Sequence, residues 1–121
     1  MKAFNKLDRT AQTDSTFERR NGLWVGKCLI CNGPIAFDAN TGEGATLEHI
    51  RAKSRGGADD LENYGIVHGS CNWEKGRRWD QRRKRSIEDY DQFVNRLLEK
   101  RRRRWRDPIE SLSSGDLQRP N

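Results

Sequence analysis

The sequence predicts a small α+β domain, two short strands followed by a helix, flanked by basic helical segments. Three observations carry this. Residues 34–38 (Pro34-Ile35-Ala36-Phe37-Asp38) and 45–50 (Ala45-Thr46-Leu47-Glu48-His49-Ile50) surround a Gly-rich turn at 41–44, which is the pattern of two strands and a turn. Helical patterning then begins near Ser70. Finally, Leu, Ile, Val and Phe make only 22 of 121 residues, under the roughly 20% level below which chains often fail to pack. Something besides apolar burial must therefore hold the fold together.

Taken in order, residues 1–22 form a polar N-terminal segment. Within it Ser15-x-x-Glu18 resembles a capping box and Gly22 a helix end, predicting a short helix near 16–21. Residues 23–79 are assigned to the central domain. Gly76 weakens its helix, and Ser86-x-x-Asp89 is placed to cap a new one. In that last helix Ile87, Tyr90, Val94, Leu97, Leu98 and Arg101 recur at helical spacing, an amphipathic stripe, and Pro108 stops it. Residues 80–107 are thus a basic helical extension, and residues 108–121, rich in Ser, Gly and Pro, are expected to be disordered. Trp24, Phe37 and Trp73 are expected in the core and Tyr64 against the central domain, while Trp79 and Trp105, each beside arginines, fit either a core or a stacking role.

The cysteines supply the missing brace. Three is an odd number, which argues against a closed disulfide framework. Cys28-x-x-Cys31 and His68-x-x-Cys71 instead form two short-spaced pairs across 36 residues. Four thiolate and imidazole donors so spaced suit one tetrahedral Zn²⁺, closed and therefore structural, contributing on the order of 10 kcal/mol to folding.

Charge is segregated. Residues 1–74 carry 9 basic and 10 acidic side chains, whereas residues 75–106 carry 14 basic and 5 acidic. That excess predicts a polyanion partner, with a solvated helix face as the plain alternative. The longest apolar stretches fall far short of the ~20 residues of a membrane span, and the N-terminus lacks the apolar centre of an export signal. The expectation is a cytoplasmic protein with no membrane partner, a viral protein inside a host cell being compatible with it.

Between the two Cys/His pairs the chemistry becomes specific. Leu47-Glu48-His49-Ile50 is followed by Ser54-Arg55-Gly56-Gly57, by Asp59-Asp60-Leu61-Glu62-Asn63 and by Cys71-Asn72-x-x-Lys75-Gly76. An imidazole outside the zinc set, next to a carboxylate, is equipped as a general base near neutral pH. Carboxylate and amide oxygens such as those of Glu48 and Asn72 suit a hard divalent cation. In this order the residues resemble the HNH endonucleases, over roughly residues 28–76.

That resemblance implies a ββα-metal (His-Me) finger with a structural zinc. It implies His49 as general base, Glu48 and Asn72 as ligands of a catalytic Mg²⁺ or Mn²⁺, Asn63 as the asparagine that braces the base histidine, and Cys28, Cys31, His68 and Cys71 as the zinc set. Here Glu48 stands where relatives often carry Asp, Ala52 where proline is common, Asn72 where many carry histidine, and His68 where cysteine is more usual. The implied activity is metal-dependent hydrolysis of DNA. DNA contacts are expected from Arg51, Lys53, Arg55, Lys75, Arg77, Arg78, Arg82, Arg83, Lys84 and Arg85. Two other functions fit the same residues. One is a non-catalytic zinc module that binds nucleic acid. The other is an accessory subunit of a larger DNA-processing complex, such as a phage terminase or a restriction system, docked through the stripe of the last helix.

Overall fold

The structure, a computed structural model, describes residues 3–82 and 84–108. The expected disordered tail falls on residues 109–121, outside the described residues, apart from Pro108 itself. No helix among the described residues is long and apolar enough to cross a membrane.

The fold is α+β. Helix α1 (Ala3–Gln12) precedes a three-stranded antiparallel sheet of β1 (Glu18–Arg20), β2 (Leu23–Lys27) and β3 (Pro34–Asp38), with β2 in the centre. A second sheet pairs β4 (Thr46–His49) with β5 (Tyr64–Val67), antiparallel, with Thr46 opposite Val67 and His49 opposite Tyr64. Helix α2 (Gly69–Lys75) follows directly and continues into one π-helical turn, Gly76–Asp80, closed by Gln81 N–H donating to the Gly76 carbonyl at 2.9 Å. Helix α3 (Ile87–Arg103) is the last helix among the described residues.

Three sequence expectations are corrected here. Residues 16–21 are not a helix, because Asn21-Gly22 is a two-residue hairpin turn. Both residues have positive φ (51° and 82°), the type I′ twist that suits a right-twisted ribbon, and Arg20 pairs with Leu23 across it. The Ser15-Glu18 signal is overridden because Asp14 accepts from both the Thr16 backbone N–H and its hydroxyl, while Phe17 buries in the core. The helix of this segment lies earlier, at Ala3–Gln12. Second, the two strands read from the sequence, 34–38 and 45–50, do not pair with each other. β3 pairs with β2 and β4 with β5. Third, α3 ends at Arg103, five residues before Pro108. There Ser15 N–H donates to the Arg104 carbonyl and Arg106 N–H to Thr13, and Trp105 bridges to Asp14.

Two apolar clusters hold these elements. Leu7 and Ala11 of α1 cover Phe17, Trp24, Ile35, Phe37 and Ile66. Tyr90, Val94 and Leu97 of α3 cover Cys28, Leu29, Ile50 and Val67. The stripe on α3 is therefore spent on self-packing rather than left as a docking face, with Ile87 at its start exposed. Ser86 caps α3 by accepting from Asp89 N–H at 3.0 Å, as its spacing implied. Trp24, Phe37 and Tyr64 are buried as expected, Trp79 stacks on Phe93 at 4.2 Å, and Trp73, expected inside, is 66% exposed.

Arginines do part of the work that a larger core would do. Arg101, 1% exposed, donates to the carbonyls of Tyr64, Thr13 and Leu61 and to the Thr13 hydroxyl. Arg104 reaches the Lys27 carbonyl and the Asn32 side chain, and Arg106 the carbonyls of Ala11, Gln12 and Phe17. Part of the C-terminal basic excess is thus internal and unavailable to a polyanion.

Candidate metal and catalytic centre

Helix α2 presents two sites from adjacent residues. Cys71 faces the first, where Cys28, Cys31, His68 and Cys71 bring their ligand atoms within 4.8 Å of one another. The first pair sits on a tight turn between β2 and β3: Cys28 N–H donates to the Gly33 carbonyl, Asn32 N–H to the Cys28 carbonyl, and Gly33 N–H to the Cys31 sulfur at 3.3 Å. The second pair spans the start of α2. His68 Nε2–H donates to the Pro34 carbonyl at 2.9 Å, which leaves Nδ1 as the bare nitrogen, 3.4 Å from Cys31 Sγ and 3.8 Å from Cys71 Sγ. A tetrahedral zinc with thiolate and imidazole bonds of about 2.3 and 2.0 Å has donor–donor edges near 3.6 Å, so the set is compatible with structural zinc. The thiols resist carrying several negative charges at once. Burial works against the Cys28 thiolate, yet backbone N–H groups of Cys31, His68 and Ile30 outweigh it and bring that thiol to about 7. Burial and the neighbouring Cys28 push Cys71 up to about 12.

Asn72, the next residue, faces the second site. β4 ends in Glu48 and His49, and β5 returns beside it to carry the chain into α2, so strand and helix meet at these three side chains. With its nitrogen turned toward Glu48, the Asn72 amide donates to Glu48 Oε1 at 2.7 Å. Lys75 Nζ lies 2.6 Å from Glu48 Oε2 and 2.7 Å from Asp80 Oδ2, and donates to the His49 carbonyl at 3.2 Å. Its side chain is 1% exposed. Lys75 is therefore an internal counter-ion and not the DNA contact expected from the sequence. Burial raises the pKa of Glu48, with Lys75 opposing. Asp80 also accepts from the Tyr90 hydroxyl at 2.9 Å, and that hydroxyl accepts from Ala52 N–H at 3.1 Å, which ties α3 to the loop after His49.

His49 is held from the other side. Its Nε2 donates to Asp59 Oδ1 at 3.0 Å, and its ring meets Tyr64 edge-on at 5.3 Å. Asp59 also accepts from the Tyr64 hydroxyl at 2.5 Å and from Lys6 of α1 at 3.4 Å. The hydroxyl first, then His49, hold that carboxyl well below the usual range. Nδ1 of His49 takes no hydrogen bond among the described residues. Asn63 does not touch His49. Buried, it accepts from Arg51 N–H at 2.9 Å and donates to the carbonyls of Arg51 and Ala58, pinning the loop that follows the histidine. Gly56 turns this loop with φ of 85°, and at Gly57 a Cβ would fall 1.8 Å from the Arg51 carbonyl oxygen.

The family model for HNH endonucleases matches residues 28–78. This stretch of the chain is similar to an HNH domain. No curated protein and no solved structure matches it. An HNH domain implies a nuclease or nucleic-acid-binding role. The matched segment includes both donor sets, and α1 and α3 brace it from outside the match.

Of the side chains expected at DNA, Lys53, Arg77, Arg78, Arg82 and Lys84 are exposed. Arg51 pairs with Asp91 at 2.9 Å, and Arg55 donates to the Asp80 carbonyl while lying 4.4 Å over the Tyr90 ring. Arg85 lies 3.9 Å over Trp79. These three are half-buried and internally engaged, and Arg83 is outside the described residues. Asp59, Asp80 and Tyr90 were not read as site residues. Asp59 stood within the quoted Asp-Asp-Leu-Glu-Asn run, but only folding brings its carboxylate to the imidazole.

Proposed function

We propose that the chain is a metal-dependent endonuclease that hydrolyses DNA phosphodiester bonds, with His49 as the general base. One juxtaposition supports this reading. An imidazole held at Nε2 by Asp59, with Nδ1 free of hydrogen bonds among the described residues, stands one residue from the Glu48–Asn72 contact of strand and helix. His49 Nδ1 accepts a proton from the water that attacks phosphorus. A P–O bond to water forms and the bond to the leaving sugar oxygen breaks, that oxygen taking a proton from solvent.

Glu48 and Asn72 would hold Mg²⁺ or Mn²⁺. The residue types fit such an ion: Glu48 is largely buried and offers Oε1, Asn72 offers its carbonyl oxygen once the amide turns that atom instead of the nitrogen toward Glu48, and one or two protein oxygens are what these ions take alongside phosphate and water. When bound, the cation supplies charge neutralisation at the phosphate. Lys75 opposes the effect of burial on Glu48 and aims the carboxylate by holding its second oxygen. In the same reading Cys28, Cys31, His68 and Cys71 bind a structural zinc, and the exposed Lys53, Arg77, Arg78, Arg82 and Lys84 contact DNA phosphates.

Plasmid cleavage by zinc-loaded wild type and His49→Ala, with no added divalent ion and then with Mg²⁺ or Mn²⁺, tests the proposal. The wild type should convert supercoiled DNA only with the added ion, and the variant should lose about 10²–10⁴-fold in rate while keeping its zinc and its DNA affinity. No cleavage by the wild type under either ion would favour a binding module instead, and an active variant would remove His49 from the role of base.

A further inference from the structure

The cavity beside Asn72 has a chemistry that phosphate hydrolysis does not use. It measures about 480 Å³, and Ala52, Ser54, Asn72, Trp73, Arg77 and Gln81 are among its walls. Trp73 follows Asn72 on α2, and successive residues of a helix point about 100° apart. Asn72 therefore turns inward to Glu48 while the indole stands outside, 66% exposed. Leu23 and Ile87, the other large apolar side chains exposed among the described residues, do not line this cavity.

The indole is also held in place. Arg77 lies over its ring at 5.3 Å and is itself fixed to Glu74 at 3.0 Å. The π-helical turn Gly76–Asp80 widens the helix at this point and brings Gln81 to the cavity wall. A flat aromatic wall with a guanidinium on it, edged by a hydroxyl, two carboxamides and the Asp80 residue that Lys75 already pairs, matches one kind of ligand. It is a planar heterocycle with hydrogen-bonding edges.

We propose that this cavity receives one unpaired nucleobase, stacked on Trp73, next to the phosphate that Asn72 would serve. Trp73 is then a specificity-determining residue, and the substrate class is DNA with a base already out of the helical stack. A paired base must first be unstacked at a cost of a few kcal/mol, whereas a bulged or single-stranded base pays little of that. The proposal deepens the nuclease reading and rests on it for the position of the cut, but base binding can be measured without cleavage.

The test uses the full zinc-loaded chain without added Mg²⁺ or Mn²⁺. Fluorescence anisotropy compares a labelled duplex containing one extrahelical adenine with the same duplex carrying an abasic residue in the bulge. Backbone shape and charge are common to both probes, so only the base differs. The wild type should prefer the adenine probe by about tenfold or more, the scale of one stacked base. Trp73→Ala should bring the ratio to one, and Trp73→Phe should retain most of it. A wild type without preference, or an Ala variant that keeps it, overturns the pocket. Cleavage of plain duplex with Mg²⁺ or Mn²⁺ is scored separately. A base preference with no cleavage overturns the nuclease reading alone, and cleavage with no base preference overturns the base pocket alone.

Discussion

Cys71 and Asn72 are neighbours on one short helix, yet they face two sites built on opposite principles. Around Cys71 three sulfur donors and one imidazole nitrogen lie within 4.8 Å of one another, and burial together with Cys28 disfavours the Cys71 thiolate. Around Asn72 the Glu48 carboxylate is already answered by a buried ammonium at 2.6 Å. The first site gathers donors compatible with a structural zinc, whereas in the second both Glu48 oxygens already have protein partners, Lys75 on one and the Asn72 amide on the other.

The largest effect should come from the first site. Stripping zinc with a chelator, or Cys71→Ser, should remove on the order of 10 kcal/mol of apparent folding energy and leave the chain largely unfolded, seen as loss of the cooperative thermal transition by circular dichroism. A metal-free chain that melted as sharply as the loaded one would erase the contrast. At the second site, Lys75→Met leaves Glu48 and Asp80 facing each other with no cation between them. It should cost about 3–5 kcal/mol in denaturant unfolding without changing zinc content, and a loss under 1 kcal/mol would mean the ammonium is not a structural counter-ion. Smallest, and outside both sites, Gly22→Ala should cost about 1 kcal/mol because the hairpin turn holds φ at 82° there. The same denaturation curve measures it, and a neutral result would show that the turn relaxes.

The two donor sets differ in how they could be read from the chain. Short-spaced ligand pairs are local: a two-residue gap on a tight turn can present both donors to one ion, so the soft site was visible in Cys28-x-x-Cys31 and His68-x-x-Cys71. The Glu48–Asn72 site was visible only through the order of its motif residues; of its supports, Lys75 was misassigned and Asp59 was not assigned. Lys75 reads as one more basic residue in a basic run, and Asp59 as one more acid in a turn. The pairing of β4 was missed for a related reason. Its partner, Tyr64-Gly65-Ile66-Val67, is buried on both faces and so lacks the alternation that marks a half-exposed strand. Arg101 and Arg104 counted toward a surface charge excess because composition does not distinguish a solvated guanidinium from one that donates to buried carbonyls.

What the sequence alone determined is what depends on residue type and short spacing: the α+β class, the four-donor cluster, the Glu48-His49 pair, the Asn72 helix and the Ser86 cap. Tertiary structure decided what depends on contacts between distant segments. It chose which strands pair and buried Lys75 between Glu48 and Asp80. It set Asp59 against His49, closed the stripe of α3 into the core and left Trp73 outside. Local chemistry is written in neighbours along the chain, but whether a charge is a ligand, a counter-ion or a surface contact depends on the partners that folding brings within a few ångströms.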